Sequence, residues 1–369
     1  YITIPPVDYT KLTGYSVGGF IAYVAGLGAL FGLYIGAIWL TMPEEAAEQT
    51  IQNNAGPRSP VSGWFVGVSS AIFAVILIFS YPLTAIDLFI YAIRTRGWAL
   101  YGLNPLATPP EALPATDPWL GLAAEWMDAP SPYGPLWEWL SLGVFYLSGG
   151  AFLNHLFGLK IIAALAFLGC AWLIFQILRQ LQPGWAVAGA ISFAWCPLAL
   201  LESVQNGHND ILMTFFLLAA VWATIGFIRH SHIRHSLILL FLALSILVKF
   251  VTILLVPFFL LAITAQAATR IKRLALIIAY GLAIGALVIL SMLPMWPGWN
   301  NWAVLQAGSG AGRSLLALLI LGFKDIWGVN FAFDFWRNLL FLIYALIYCY
   351  YLWQMFNSNQ KSVASSQRV

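Results

Sequence analysis

Charged residues are scarce in this chain of 369 residues: Asp, Glu, Lys and Arg make up 8% of it, whereas 61% is hydrophobic. Soluble domains carry about 25% charged residues. The composition therefore excludes an ordinary soluble domain and indicates an integral membrane protein. The formal net charge of +3 is too small and too scattered to predict nucleic acid as a partner. Because a charge at bilayer depth costs about 3 kcal/mol or more, each charged residue in an apolar run is a candidate for function.

Residues that bind metals or form disulfides are also few. The three cysteines lie in apolar runs without metal-ligand spacing, so we expect them to be structural and buried: Cys170, Cys196 and Cys349. His208 is next to acidic residues, whereas the other histidines lie elsewhere in the chain, at His155, His230, His232 and His235. We therefore expect no metal site.

Motifs of nucleotide-sugar enzymes are missing as well. The sequence has no recognisable soluble domain, no glycine-rich loop that could hold phosphates and no Asp-x-Asp motif. A nucleotide-sugar donor would need such a site. We therefore expect the chain not to use one.

Long apolar runs, by contrast, fill most of the chain. Runs of about 20 residues, enough to cross the hydrocarbon core, occur at 15–40, 63–84, 158–178, 184–203, 210–229, 251–268, 273–293 and 338–355. A shorter run, 236–249, ends at Lys249, and the runs 134–150 and 314–323 are ambiguous. Because irregular backbone cannot face lipid, these runs must be helical. The sequence predicts an all-α, polytopic transmembrane helix bundle of about 9–11 spans, with an extracytoplasmic loop layer that carries short interfacial helices.

Orientation follows from the lysines and arginines of the short loops, which favour the cytoplasmic side. These loops, 180–183, 230–235 and 269–273, all fall on one side of the membrane. The segments 85–133, 204–210 and 294–313 then lie on the opposite side, together with most of the acidic residues. We therefore expect the functional site on the extracytoplasmic face.

Two groups of polar residues stand where outer loops meet apolar runs. Asp87 follows a predicted span, and helical spacing puts Tyr91 and Arg94 on its face, with Arg96 close by. Such a carboxylate can anchor a helix end through a salt bridge, or it can act as a general base beside cations that hold an anionic substrate. The second group is "ESVQNGHND", from Glu202 to Asp210.

The order of these features resembles the GT-C superfamily of membrane glycosyltransferases. Asp87 after a span is followed by "GLNPL", "DAPSPYGPLW", "NGHNDIL" and "LVKF", the last ahead of an apolar run with a proline. The resemblance covers about residues 63–300 and is strongest to bacterial polyprenyl-phosphomannose-dependent alpha-mannosyltransferases. It implies transfer of a hexose from a polyprenyl-phosphate donor to a hydroxyl of a lipid, isoprenoid, carotenoid or glycan acceptor, with inversion.

The resemblance also implies roles for individual residues. Asp87 matches the family's catalytic base, and Lys249, Arg94 and Arg96 are the candidates that neutralise the donor phosphate. Sugar and acceptor hydroxyls are assigned to Tyr133, Glu202, His208, Asn209 and Asp210. No cofactor is implied, since the lipid-linked sugar is a substrate. Plainer roles stay open: Asn209 or Asp210 can cap the helix that follows, Glu202 can pair with an Arg or Lys, and Lys249 can extend to the headgroups.

The resemblance divides the chain into three parts. Residues 1–62 form an extra N-terminal span and polar loop, 63–300 the catalytic core, and 301–369 an outer loop, a last span and a cytoplasmic tail. We expect a multi-pass protein of the bacterial cytoplasmic membrane, in contact with membrane lipids. Other membrane subunits remain possible partners.

Two functions of other classes are consistent with the same composition. The chain can be a catalytically idle accessory subunit of a larger membrane complex, or a small-solute transporter with Asp87 and Asp210 as coupling sites. Many transporters contain inverted repeats, and none is recognisable here. An idle relative would be expected to lose its site acids, and Asp87 remains. The sequence therefore favours the enzyme.

Overall fold

The computed structural model describes residues 17–42, 61–82, 85, 87–122, 126–225, 231–265, 267, 269–298 and 315–366, and every regular element in these ranges is helical. The predicted all-α class is confirmed. The α-helices are α1 (Val17–Thr41), α2 (Gly63–Ile78), α3 (Asp87–Tyr101), α4 (Pro135–Leu147), α5 (Phe152–Leu181), α6 (Ala186–Ala194), α7 (Pro197–Leu200), α8 (Asp210–Thr224), α9 (Ser231–Val248), α10 (Val256–Ile263), α11 (Arg270–Met292), α12 (Leu315–Trp327) and α13 (Val329–Ser366). The predicted polar loop at 43–60 and His230 lie outside the described residues, as do residues 299–313 of the predicted outer segment.

Four helical segments of the described residues are long and apolar enough to cross a membrane: Val17–Thr41, Phe152–Leu181, Arg270–Met295 and Val329–Asn357. The pair Pro183–Ala194 and Pro197–Gln205, bent by 54°, makes a fifth if it is one broken span. The remaining predicted spans correspond to shorter apolar helices, Gly63–Ile78, Asp210–Thr224, Ile233–Val248 and Phe250–Ile263. A helix of 16 residues such as α2 extends about 24 Å, less than the hydrocarbon core. By length, four or five spans are present in these ranges, fewer than the nine to eleven predicted.

Helix α3 carries the first group of polar residues into the core. Nearly all of its residues from Leu88 to Gly97 are buried, including Arg94 and Thr95. It packs with α4 and α5, where Trp137, Leu159 and Phe167 are fully enclosed. The segment that follows Asp87 is therefore an internal helix and not part of an open loop.

The polypeptide after α3 is folded back by a few specific bonds. Asn104 donates from Nδ2 to the carbonyl of Met295 (3.0 Å), and its Oδ1 accepts from the backbone N–H of Leu106 (3.0 Å). The Ser131 N–H donates to the Pro105 carbonyl (2.7 Å). The motifs "GLNPL" and "SPYGPLW" thus lie against each other, and the loop between them is closed.

Contacts divide the chain into two compact units: Tyr1–Thr252 with Ala286–Ala303, and Ile253–Gly285 with Val304–Val369. All the candidate site residues belong to the first unit. In the second unit, α12 turns into α13 at Gly328, whose φ of +76° is in the left-handed region that favours glycine. Arg273 there donates to the carbonyls of Leu261 (3.2 Å) and Phe356 (3.0 Å).

The three cysteines differ in exposure. Cys170 is fully buried, as predicted, and Cys196 is half-buried. The prediction is wrong for Cys349, which is exposed because its side of α13 does not pack against the described helices. A lipid-facing surface of a membrane helix accepts such an apolar thiol without protein contacts.

Candidate active site

The centre of the site is an imidazole that bridges two carboxylates. Asp87 is the first residue of α3, and its Oδ2 lies 3.1 Å from His208 Nε2. The other ring nitrogen, Nδ1, lies 3.2 Å from Glu202 Oε2. Residues separated by 121 positions therefore meet, and three predicted site residues come together in one hydrogen-bonded chain.

The backbone before α8 gives His208 its direction. Leu201–Gln205 form a π-helical turn, and Gly207 follows with a φ of +69°, a left-handed conformation that favours glycine. A Cβ at Gly207 would lie 2.9 Å from Leu88 Cδ1, so a larger residue would have to displace that side chain as well as adopt the left-handed conformation. Asn206 Nδ2 donates to Glu202 Oε2 (3.0 Å), which fixes the carboxylate that faces the imidazole.

The charge state of the bridge follows from these contacts. Burial lowers the pKa of His208, but the hydrogen bonds to Asp87 and Glu202 outweigh it and raise the pKa to about 9. Burial likewise raises the pKa of Asp87, whereas the His208 hydrogen bond and the charges of His208, Lys249 and Arg94 lower it below its ordinary value. At neutral pH the pair is an imidazolium and a carboxylate.

A second ion pair joins the N-terminal end of α8 to the C-terminal end of α9. Lys249 follows the last residue of α9, and its Nζ donates to Asp210 Oδ1 (2.7 Å) at the first residue of α8. The two side chains are 32% and 51% exposed, respectively. Such a pair contributes between 0 and about 1 kcal/mol, so a stronger anionic ligand can replace the carboxylate. Lys249 therefore has a partner within the protein. The alternative that its ammonium only extends to the lipid headgroups does not account for this ion pair.

The proline-rich loop supplies the wall beside Lys249. The Nζ of Lys249 lies 5.7 Å from the ring centroid of Tyr133, whose hydroxyl accepts from Tyr91 (3.4 Å). The next residue, Gly134, donates its N–H to the Val248 carbonyl (3.0 Å). A Cβ at Gly134 would lie 2.1 Å from the Leu247 carbonyl oxygen, so this close approach requires glycine.

The two arginines of α3 are engaged in different ways. Arg94 is buried and donates from Nη2 to the carbonyls of Ala129 (3.0 Å) and Pro130 (3.3 Å), so it holds the loop while its charge acts on Asp87. Arg96 does not join the cluster: its Nε donates to both carboxylate oxygens of Asp117 (2.7 and 2.9 Å). The Arg96 guanidinium also lies over the Trp119 ring. Of the three predicted cations, Lys249 is thus the best placed for an anionic ligand. Both ring nitrogens of His208 are engaged by Asp87 and Glu202, so its positive charge acts without a direct hydrogen bond.

Asn209 does not cap the helix that follows it, although the sequence left that role open. Asn209 occupies the N-cap position of α8, yet its side chain makes no capping hydrogen bond. The residue is 1% exposed, and both polar atoms of its side chain are without a hydrogen-bond partner in the described part of the chain. Its predicted contact with a sugar stays a prediction. Asp210 is the first residue of α8 and pairs with Lys249.

Two buried charged residues near the site were not predicted. Glu138 of α4 accepts a hydrogen bond from Ser131 Oγ (2.5 Å) in the proline-rich loop, and burial raises its pKa. Lys160 of α5 is 2% exposed and lies behind the Gly207 turn. The rule that a lone charge in an apolar run suggests function, which selected Lys249, selects Lys160 equally well.

No group of three or more His, Cys, Asp or Glu residues is arranged to hold a metal ion within the described ranges. The Asp87, His208 and Glu202 chain is held together by the imidazole itself. Its chemistry is that of proton transfer and charge stabilisation.

The described residues thus form an all-helical, multi-pass membrane protein with a carboxylate, an imidazolium and an ammonium at helix ends. The family model described as "Alpha-(1->6)-mannopyranosyltransferase, N-terminal domain" matches residues 8–265, more than half of the chain. The chain belongs to this family, and its resemblance to membrane mannosyltransferases is confirmed. The match includes the first span, which the sequence interpretation placed outside the core.

One curated relative is similar over part of the chain. It is a "Probable alpha-(1->6)-mannopyranosyltransferase" from Mycolicibacterium smegmatis, 25% identical over 151 residues. The similarity covers 40% of this chain and 26% of the relative, so the chain spans about a quarter of the length of that protein. No solved structure matches the chain.

Proposed function

We propose that this chain is a membrane mannosyltransferase that moves mannose from a polyprenyl-phosphate donor to a hydroxyl of a lipid, isoprenoid or glycan acceptor. The observation that supports it most is the hydrogen bond between Asp87 and His208, with the charge of Lys249 acting on the same carboxylate. The linkage in the family's description makes the 6-hydroxyl of a mannoside the acceptor that we expect.

The proposed reaction is a single displacement. His208 occupies Oδ2 of Asp87, which leaves Oδ1 for the acceptor hydroxyl. As the acceptor oxygen bonds to C1 of mannose, the bond from C1 to the phosphate oxygen breaks, and the acceptor proton passes to Asp87. Lys249 and the His208 imidazolium stabilise the charge that develops on the leaving phosphate. Inversion at a β-linked donor gives an α-mannoside.

The remaining residues contribute to binding in this proposal. The ring of Tyr133 and the carboxylates of Glu202 and Asp210 lie around the two cations and can bind sugar hydroxyls. Arg94 holds the proline-rich loop through the Ala129 carbonyl. Arg96 pairs with Asp117 and does not contact the site. Of the three predicted phosphate ligands, Lys249, Arg94 and Arg96, the proposal therefore keeps only Lys249 as a direct ligand. His208, predicted to bind sugar, contributes its positive charge instead.

We further propose that the protein lies in the bacterial cytoplasmic membrane with this site on the extracytoplasmic side. Sealed right-side-out vesicles with polyprenyl-phosphate mannose in the membrane should elongate a water-soluble α-mannoside added outside. Sealed inside-out vesicles should do so only after permeabilisation, and vesicles without the protein serve as the control. Product from a nucleotide mannose with the purified protein would contradict the donor, and product from intact inside-out vesicles would contradict the orientation.

The shifted pKa values predict a bell-shaped pH dependence. Activity should rise as Asp87 loses its proton, below the ordinary pKa range of aspartate, and should fall as His208 loses its proton near pH 9. His208→Gln should lower transfer by about tenfold, since a partner of the base contributes less than the base itself. It should also abolish the alkaline limb and shift the acid limb to higher pH, because the cation that lowers the Asp87 pKa is gone.

The measurement is kcat/KM against pH for wild type and His208→Gln in detergent, with equal amounts of monodisperse protein. An alkaline limb that persists unchanged in the Gln variant would assign it to another group and remove His208 from the site.

A further inference from the structure

Lys160 is a buried cation that the proposed reaction does not use. It lies in the first half of α5, and its Nζ donates to the carbonyl oxygens of Leu77 (2.9 Å) and Ser80. Within the described ranges no carboxylate is paired with it. Its charge meets only the carbonyl end of α2, where the helix dipole is negative and the last carbonyls lack partners within the helix.

The stem of Lys160 reaches a second segment as well. A Cβ at Gly207 would lie 3.4 Å from Lys160 Cγ, so the stem lies directly against the turn that precedes His208. From the other direction, Gln205 Nε2 donates to the Tyr81 carbonyl (2.8 Å). The end of α2 and the turn at 205–207 are therefore tied together by Lys160 and by Gln205.

These two segments lead to the two partners of the central hydrogen bond. Leu88, the neighbour of Asp87 in α3, lies against Gly207, and the Gly207 turn continues directly into His208. A shift of either by about 1 Å would lengthen the 3.1 Å contact beyond a good hydrogen bond. The titratable and charged side chains that act on this pair in the described ranges are Glu202 on His208, and Lys249, Arg94, Tyr91 and Tyr133 on Asp87.

We propose that Lys160 is a positioning residue for this site: it holds the end of α2 against the Gly207 turn and so fixes Asp87 against His208. The proposal rests on the proposed function for its catalytic consequence, but not for its geometry. A helix cap alone would stabilise α2 without any effect on the imidazole.

The test measures His208 without requiring transfer. Carbethoxylation by diethyl pyrocarbonate modifies neutral imidazole, and peptide mass spectrometry resolves His208 from the other histidines. In wild type the reactivity of His208 should reach half its maximum near pH 9. In Lys160→Met we expect that midpoint to move down toward the ordinary histidine range, and Lys160→Arg should recover part of the shift because it also donates to carbonyls.

Two further variants keep the result interpretable. Gln205→Leu removes the second tie and should move the midpoint in the same direction, which matters if Lys160→Met inserts poorly. Arg273→Met is the matched control, since Arg273 is an equally buried cation on two backbone carbonyls in the second unit, and it should leave the midpoint unchanged.

Activity gives the second readout. Lys160→Met should lower kcat by about tenfold and move the acid limb to higher pH, with the donor KM little changed. A wild-type carbethoxylation midpoint in both Lys160→Met and Gln205→Leu would overturn the positioning role. If the midpoint shifts in both variants but the wild-type protein transfers no mannose, the positioning role is kept and the proposed function is overturned.

Discussion

Asp87→Asn is expected to lower mannose transfer by about 100-fold or more, because it removes the proposed general base while keeping the shape of the side chain. The amide oxygen can still accept a hydrogen bond from His208, so the helix end should stay in place. The amide cannot take the acceptor proton. It also removes one of the two carboxylates that raise the His208 pKa, so the alkaline limb of any residual activity should move to lower pH.

The control for this variant is Asp128→Asn. Asp128 is an exposed carboxylate in the same outer segment, and its replacement should leave transfer close to wild type. Both variants are compared at saturating donor and acceptor, after their insertion and monodispersity have been checked. If Asp87→Asn transfers mannose at the wild-type rate, Asp87 is only an anchor for His208, and the base must be sought elsewhere.

The fold class and much of the site were predictable from the sequence, because both depend on where charges interrupt apolar runs. Asp87, His208 and Lys249 were selected since each stands at the end of such a run. The number of spans was less predictable. Hydropathy reports how apolar a segment is, whereas helix length depends on where turns begin. Helices α2 and α8 end earlier than their apolar runs, 63–84 and 210–229, suggest.

The partners of each charged residue could not be predicted, since pairing depends on tertiary distance. The shared face of Asp87, Tyr91 and Arg94 suggested one cluster, yet Arg94 turns to the proline-rich loop and Tyr91 to Tyr133. Arg96, only two positions further on, faces Asp117. Helical spacing predicts the direction of a side chain but not the residue that it contacts.

The ion pair of Lys249 and Asp210 indicates how the site is held without a donor. A phosphate carries more charge and more acceptor oxygens than one carboxylate. It can therefore replace Asp210 as the partner of Lys249, because an exposed ion pair contributes little free energy. Asp210 is then free to bind a sugar hydroxyl. In this view the pair keeps the ammonium at the mouth of the site, ready for the anionic part of the substrate.

Lys249→Met should therefore weaken donor use strongly. A hydrogen bond to a charged group contributes about 1.5–3 kcal/mol, which corresponds to a rise in donor KM of about 10- to 100-fold. Lys249→Arg should retain part of the donor affinity, because the guanidinium keeps the charge but does not reproduce the position of the ammonium. The measurement is transfer against the concentration of polyprenyl-phosphate mannose at fixed acceptor.

Asp210→Asn is the informative companion, since it removes the competing carboxylate and leaves Lys249 in place. Its donor KM should be equal to or lower than that of wild type, whereas its acceptor KM can rise. In the double variant with Lys249→Met, the Asn substitution should restore nothing, because there is no ammonium left to release. An unchanged donor dependence in Lys249→Met would mean that Lys249 serves only Asp210, and would remove it from the proposed donor site.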